Sequence, residues 1–104
     1  MPRQPESKAR IRMGYSGYIR VRDRLFKDND GECYYCFRKT YLKWQDAPDR
    51  ETMIERMATI DHIDPVSRGG TWKKYNIVLS CRKCNADKAD MSEEDYHEFI
   101  MKDL

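Results

Sequence analysis

Residues 59–90 of this sequence hold most of the side chains that could do chemistry. The groups concerned are the carboxylate of Asp61, the imidazole of His62 and the amides of Asn76 and Asn85. An imidazole titrates near neutral pH and can take up a proton, and oxygen ligands suit hard divalent cations. Taken singly, such residues more often serve packing or turns, so their order and context have to support any prediction of a reactive site.

The four cysteines form two Cys-x-x-Cys pairs, Cys33 with Cys36 and Cys81 with Cys84. Two intervening residues let both sulfurs of a pair reach one tetrahedral ion, and two pairs supply four thiolates. We therefore predict one structural Zn²⁺ with no open coordination position, whose binding free energy contributes to folding. A redox-active pair and two disulfides are the alternatives, but neither explains two matched pairs in so polar a chain.

The composition is that of one small polar domain. The chain has 104 residues, of which 37% are charged, and its mean hydropathy is −0.96. So short a chain builds only a modest core, and a metal staple is a common remedy. No apolar run is long enough to span a membrane, and the first residues lack the apolar segment of a secretory signal. These features predict a cytoplasmic protein without membrane contact.

The net charge of +2 is unevenly distributed. Residues 1–24 contain seven Lys and Arg against two acidic residues, whereas residues 91–104 are acidic. Prolines, glycines and the absence of an apolar period predict a flexible basic arm over residues 1–17, followed by one folded domain over 18–104. This arm could contact phosphates or be a solvated tail, and charge alone does not decide between the two.

Apolar spacing and turn residues predict the elements that position the reactive groups. Helices are predicted over residues 18–29, 49–57 and 81–90, and strands over 58–63 and 77–79. A last helix begins after an N-cap at Ser92 and turns Tyr96, Phe99 and Ile100 inward. The order of strand, strand and helix predicts a small α+β fold, in which Asn85 and Lys88 share one helix face.

The sequence resembles the HNH endonuclease family, whose fold is a ββα-metal unit. The matching residues occur in the family's order: Asp61-His62-Ile63-x-Pro65, Gly69-Gly70-Thr71, Asn76-Ile77-Val78-Leu79 and Cys81-Arg82-Lys83-Cys84-Asn85-x-x-Lys88. The third letter of the family motif is His or Asn, and here it is Asn85. The resemblance implies a ββα-metal core at about residues 58–90, with flanking helices and a four-cysteine zinc site.

The resemblance also implies roles for the reactive residues. His62 would be the general base that takes a proton from the attacking water, and Asp61 and Asn85 would bind one Mg²⁺ or Mn²⁺. Asn76 would take part by holding the loop that orients the histidine. Contacts with phosphate are expected from four basic side chains, those of Arg68, Arg82, Lys83 and Lys88.

The predicted function is that of a metal-dependent endonuclease that hydrolyses phosphodiester bonds of DNA by nicking or double-strand cleavage. Sequence specificity should be limited, because one domain of this size buries little DNA surface. The chain is similar in size to phage-borne members of the family. A phage packaging complex or another DNA-processing complex is therefore a candidate partner, and the host cytoplasm is the expected location of the protein. A non-catalytic zinc module that binds nucleic acid or protein is the alternative, an RNA-directed nuclease is a third, and the oligomeric state is left open.

Overall fold

The computed structural model describes residues 5–102, with side chains from residue 14 onward. The helices in this range are α1 (Pro5–Asp28), α2 (Arg50–Arg56), α3 (Arg82–Lys88) and α4 (Glu93–Lys102). The strands are β1 (Ala58–His62) and β2 (Ile77–Cys81), which pair in one antiparallel sheet. Helix α3 follows β2 directly, so the predicted small α+β fold with its ββα unit is confirmed.

Helix α1 is longer than predicted. We expected a helix from residue 18, but helical backbone begins at Pro5 and is interrupted only at Gly14, whose φ is 63°. Residues 8–13 contain no helix breaker, and a glycine tolerates a left-handed conformation, so the chain can be helical on both sides of Gly14. The flexibility of the arm and its boundary at residue 17 stay predictions. The side chains of residues 1–13, on which phosphate binding by the arm depends, lie outside the described part.

The two strands form a tight antiparallel pair in which Asp61 lies opposite Val78 and His62 opposite Ile77. Strand β1 was predicted to run to residue 63 but ends at His62. The chain leaves the ladder here because the next two amide groups bind Asn76 instead, at its backbone oxygen and at its side-chain oxygen. Asp61 and His62 are therefore the last two residues of the strand.

Helix α3 begins immediately after β2, as predicted, and ends at Lys88, two residues earlier than expected. Its N-cap is Cys81, whose sulfur accepts a hydrogen bond from the amide of Cys84 at 3.4 Å. Ala89 has a φ of 49°, a left-handed conformation that stops the helix. The helix is thus short, and its start is tied to one of the two cysteine pairs.

The core is built around the cysteines themselves. Cys33, Cys81, Cys84 and Tyr96 form one buried cluster, against which Tyr35, Cys36, Met91 and Ile100 pack. The first cysteine pair reaches the sheet through its own backbone, because the amide of Tyr34 donates to the carbonyl oxygen of Leu79 at 2.8 Å. A metal staple at this point would hold the first pair, the sheet and α4 together.

The flanking helices largely follow the prediction. Asp49 caps α2 by accepting from the amide of Thr52 at 2.7 Å, and Ser92 caps α4 by accepting from the amide of Asp95 at 3.1 Å. Tyr96 is buried as expected, but Phe99 is 42% exposed, contrary to prediction. Helix α4 packs only a narrow face, and Phe99 lies at its edge, stacked on the Tyr96 ring.

No helix in the described part of the chain combines the length and the apolar character needed to cross a bilayer.

Candidate functional site

The sulfur atoms of Cys33, Cys36, Cys81 and Cys84 all lie within 4.8 Å of one another. The Cys36 and Cys81 sulfurs are 3.9 Å apart, and a tetrahedral zinc with bonds of about 2.3 Å requires about 3.8 Å between its ligands. The Cys33 and Cys36 sulfurs raise the pKa of the Cys81 and Cys84 thiols. Four thiolates this close repel one another unless a cation shares their charge. The donor set is therefore compatible with one structural zinc.

In each cysteine pair the first sulfur accepts a hydrogen bond from a nearby backbone amide. The donor to Cys33 is the amide of Tyr35, two residues on, and the donor to Cys81 is the amide of Cys84, three residues on, both at 3.4 Å. Hydrogen bonds of this kind stabilise a thiolate, which is the form that binds zinc. Phe37 completes the first pair in a left-handed conformation, with a φ of 64°.

Asp61 is buried at the end of β1 and is only 6% exposed. Its Oδ2 accepts a hydrogen bond from the Tyr35 hydroxyl at 2.5 Å and lies 3.2 Å from the Lys88 ammonium group. A buried carboxylate without partners would be strongly disfavoured, so these two contacts explain how Asp61 stays inside the fold. Tyr35 was not among the predicted site residues, and the only sequence signal for it is its place between two zinc-type cysteines.

The structure does not place Lys88 on a phosphate-binding surface, contrary to the prediction. Its side chain is 0% exposed, and its ammonium group donates to the carbonyl oxygen of His62 at 2.8 Å. Helix α3 turns this face toward β1, and the lysine can be buried there because Asp61 neutralises its charge. Lys88 shares a helix face with Asn85, as expected, but this face points into the protein.

Asn85 joins α3 to β1 through its amide nitrogen. The Nδ2 atom donates to Oγ1 of Thr59 and to the carbonyl oxygen of Ile60, both at 3.1 Å. A carbonyl oxygen can only accept, so the nitrogen has to face β1 and Oδ1 is turned away from these two partners. The amide oxygen of Asn85 is thus the atom that remains for a cation.

Asp61, His62 and Asn85 line one cleft of about 210 Å³. The apolar part of its wall consists of Ile60, Pro65, Val66 and Ala89. The His62 ring meets the Trp72 ring edge to face, with centroids 4.4 Å apart and an interplanar angle of 89°. Trp72 was not predicted as a site residue, and its contact fixes the plane of the imidazole.

Asn76 is 5% exposed and holds both sides of the loop that follows His62. Its Oδ1 accepts from the Asp64 amide at 2.8 Å, and its Nδ2 donates to the carbonyl oxygens of Asp64 at 3.1 Å and Thr71 at 2.7 Å. Gly70 closes the same loop, because a Cβ atom there would lie 1.7 Å from the Asp64 oxygen. The loop geometry therefore depends on one amide and one glycine.

The three other predicted phosphate contacts, those of Arg68, Arg82 and Lys83, are exposed. Arg68 ends a short 3-10 turn that begins at Val66 in the cleft wall. Arg82 and Lys83 instead border a shallow groove between α2 and α3, and Lys83 pairs with Asp87 at 2.8 Å. Arg68 thus lies in the turn that begins in the cleft wall, whereas Arg82 and Lys83 border the groove on another side of α3.

A two-stranded sheet that leads into a helix, with a four-sulfur site beside an Asp–His–Asn cleft, defines a small ββα-metal protein. The family model for the HNH endonuclease matches residues 33–90, more than half of the chain. The chain therefore belongs to the HNH endonuclease family, and its four grouped cysteines fit the zinc-containing subtype. No curated protein was found to match it.

Proposed function

We propose that this protein is a metal-dependent endonuclease that hydrolyses phosphodiester bonds of DNA. The observation that supports this proposal is the single cleft shared by a carboxylate, an imidazole and an amide, Asp61, His62 and Asn85. Family membership favours DNA as the substrate and partner. Association with a phage packaging complex, cytoplasmic location and the choice between nicking and double-strand cleavage stay predictions.

One divalent ion, Mg²⁺ or Mn²⁺, fits the cleft because the side chains that converge there offer oxygen atoms. The second carboxylate oxygen of Asp61 and Oδ1 of Asn85 would hold it, since Oδ2 of Asp61 and Nδ2 of Asn85 are already engaged by protein groups. When bound, the ion supplies Lewis acidity at the scissile phosphate and eases departure of the 3′-oxygen.

His62 acts as the general base. The imidazole takes a proton from water as the water oxygen bonds to phosphorus, and the 3′-oxygen leaves with the electrons of its former bond and takes up a proton from solvent. The products are a 5′-phosphate and a 3′-hydroxyl end. Trp72 orients the ring from one side, and Asn76 positions the loop that continues from it.

The four sulfurs of Cys33, Cys36, Cys81 and Cys84 hold the structural Zn²⁺, separate from this chemistry. Arg68 is the basic side chain best placed to contact a phosphate next to the cleft. Arg82 and Lys83 would contact DNA only where it also runs past the groove beside α2.

The test is nicking of supercoiled plasmid by zinc-loaded protein in Mg²⁺ or Mn²⁺. His62→Ala should slow nicking by about 10²–10⁴-fold, the usual contribution of a general base. The matched control is His97→Ala, because His97 is exposed on α4 and should leave the rate unchanged. If the zinc-loaded wild type and His62→Ala both bind DNA but nick it negligibly, the result would favour the non-catalytic binding module. Parallel reactions with RNA in place of DNA test the third alternative, an RNA-directed nuclease.

A further inference from the structure

The hydroxyl group of Tyr35 belongs to neither of the two proposed metal sites. It donates to Asp61 of the cation site, and the residue itself lies between Cys33 and Cys36 of the zinc site. We propose that Tyr35 is a positioning residue for the catalytic cation, which orients Asp61 from the first cysteine pair. This inference rests on the proposed function, because it assumes that Asp61 binds the cation.

The first cysteine pair determines where Tyr35 can reach. The residue lies between Cys33 and Cys36, and its amide donates to the Cys33 sulfur at 3.4 Å. Its ring packs edge to face against Tyr96, with centroids 5.3 Å apart, and Tyr96 is 2% exposed. A backbone tied to a zinc ligand and a ring packed on a buried side chain leave the phenol little freedom.

The hydroxyl of Tyr35 acts as a donor toward Asp61. A carboxylate can only accept a hydrogen bond, so the phenol is the donor in the 2.5 Å contact with Oδ2 of Asp61. The same oxygen of Asp61, Oδ2, also faces the Lys88 ammonium group at 3.2 Å. Two donors on Oδ2 determine the plane of the carboxylate and assign Oδ1 to the cation. Partners of this kind, one step removed from a metal, commonly tune its affinity.

A purely structural role for Tyr35 makes a different prediction. If the hydrogen bond only ties the cysteine pair to β1, its loss lowers the stability of the fold but leaves the cation affinity unchanged. If it positions Asp61, its loss weakens cation binding even where the fold and its zinc are intact. Cation affinity therefore separates the two roles, and stability alone does not.

The chain offers a matched control in the neighbouring tyrosine. The hydroxyl of Tyr34 donates to Glu93 on α4, away from the cleft. Tyr34→Phe and Tyr35→Phe each remove one hydroxyl from the same turn and keep the aromatic ring. Differences between the two variants in cation binding therefore report on the contact with Asp61.

The experiment measures Mn²⁺ binding to the zinc-loaded full chain by electron paramagnetic resonance in the absence of DNA. Tyr35→Phe should weaken Mn²⁺ binding by roughly 10-fold or more, the low end of effects seen for such partners. The Mn²⁺ concentration that half-saturates nicking should rise by the same factor, while the rate at saturating Mn²⁺ changes much less. Tyr34→Phe should match the wild type in both measurements.

Zinc content and the melting curve check that each variant is folded. Should Tyr35→Phe lose zinc, the wild type still provides a test through a Mg²⁺ titration that monitors the tyrosine ring resonances by NMR. The Tyr35 resonances should shift with Mg²⁺ and those of Tyr34 should not.

Equal Mn²⁺ affinity of the wild type and zinc-loaded Tyr35→Phe overturns the inference while leaving the proposed function intact. The inference is likewise overturned, and the proposed function left intact, if Mg²⁺ shifts the Asn85 resonances but not those of Tyr35. A wild type that neither binds Mn²⁺ nor nicks DNA overturns the proposed function, and this inference with it.

Discussion

Lys88 and Asp61 form a buried ion pair, with 3.2 Å between the ammonium nitrogen and Oδ2 and exposures of 0% and 6%. The pair joins the last residue of α3 to the end of β1. Since the ammonium group also binds the carbonyl oxygen of His62, one lysine supports two neighbouring residues of the proposed active site.

Replacing Lys88 by methionine should therefore strongly destabilise the protein. The variant keeps an apolar stem of similar length but leaves the Asp61 carboxylate buried without the lysine ammonium group, a change that costs about 3–5 kcal/mol. Denaturant unfolding of zinc-loaded protein measures the loss. Lys83→Met is the matched control, because Lys83 pairs with Asp87 at the surface and such pairs contribute only about 0.3–0.5 kcal/mol. Equal losses in the two variants would contradict the assigned role of the buried pair.

Asn85→Ala should affect both stability and cation binding. It removes the donors to Thr59 and Ile60, which should destabilise the protein by about 1–3 kcal/mol, and it removes the proposed cation ligand as well. Thr59→Val deletes one acceptor but keeps the Asn85 oxygen, so it should lower stability without weakening Mn²⁺ binding. Unfolding curves and Mn²⁺ titrations of both variants measure the two effects. Equal Mn²⁺ affinities for Asn85→Ala and the wild type would exclude Asn85 as a ligand.

Removal of zinc should unfold the protein. The buried cluster consists largely of the four-cysteine site and Tyr96. When zinc is removed, the sulfurs repel one another and the core loses the ion at its centre. A zinc chelator should abolish the cooperative melting transition, and added Zn²⁺, but not Mg²⁺, should restore it. Protons compete with zinc for thiolates, so stability should also fall as the pH falls. An unchanged melting midpoint after verified zinc loss would rule out this role.

Gly70→Ala should distort the loop after His62. The added Cβ would meet the Asp64 carbonyl oxygen at 1.7 Å, and overpacking of this kind costs about 1–3 kcal/mol when the backbone has to move. Gly69→Ala is the control: a Cβ there has nothing within 4 Å, although its φ of 91° carries some strain. The loss in unfolding free energy and in nicking rate should be larger at Gly70. The opposite order would show that the clash is relieved without moving the loop.

The sequence patterns were sufficient for most of the fold. Alternation in β1, the turn residues after α1 and the cap at Ser92 act over a few residues, so they can be recognised without a structure. The extent of α1 was missed because composition suggested a tail, while nothing between Pro5 and Gly14 prevents a helix.

The order of the motif residues, through the family resemblance, singled out Asp61, His62 and Asn85, and the two cysteine pairs predicted four grouped sulfurs, because ligand chemistry and spacing are properties of the chain. Only the tertiary structure decided which atoms face the cleft. Lys88 turned out to be buried against Asp61, and Tyr35 reached across from the other cysteine pair. Both contacts join residues 26 or 27 positions apart in the chain, and burial of a charge depends on partners that meet only when distant segments pack together.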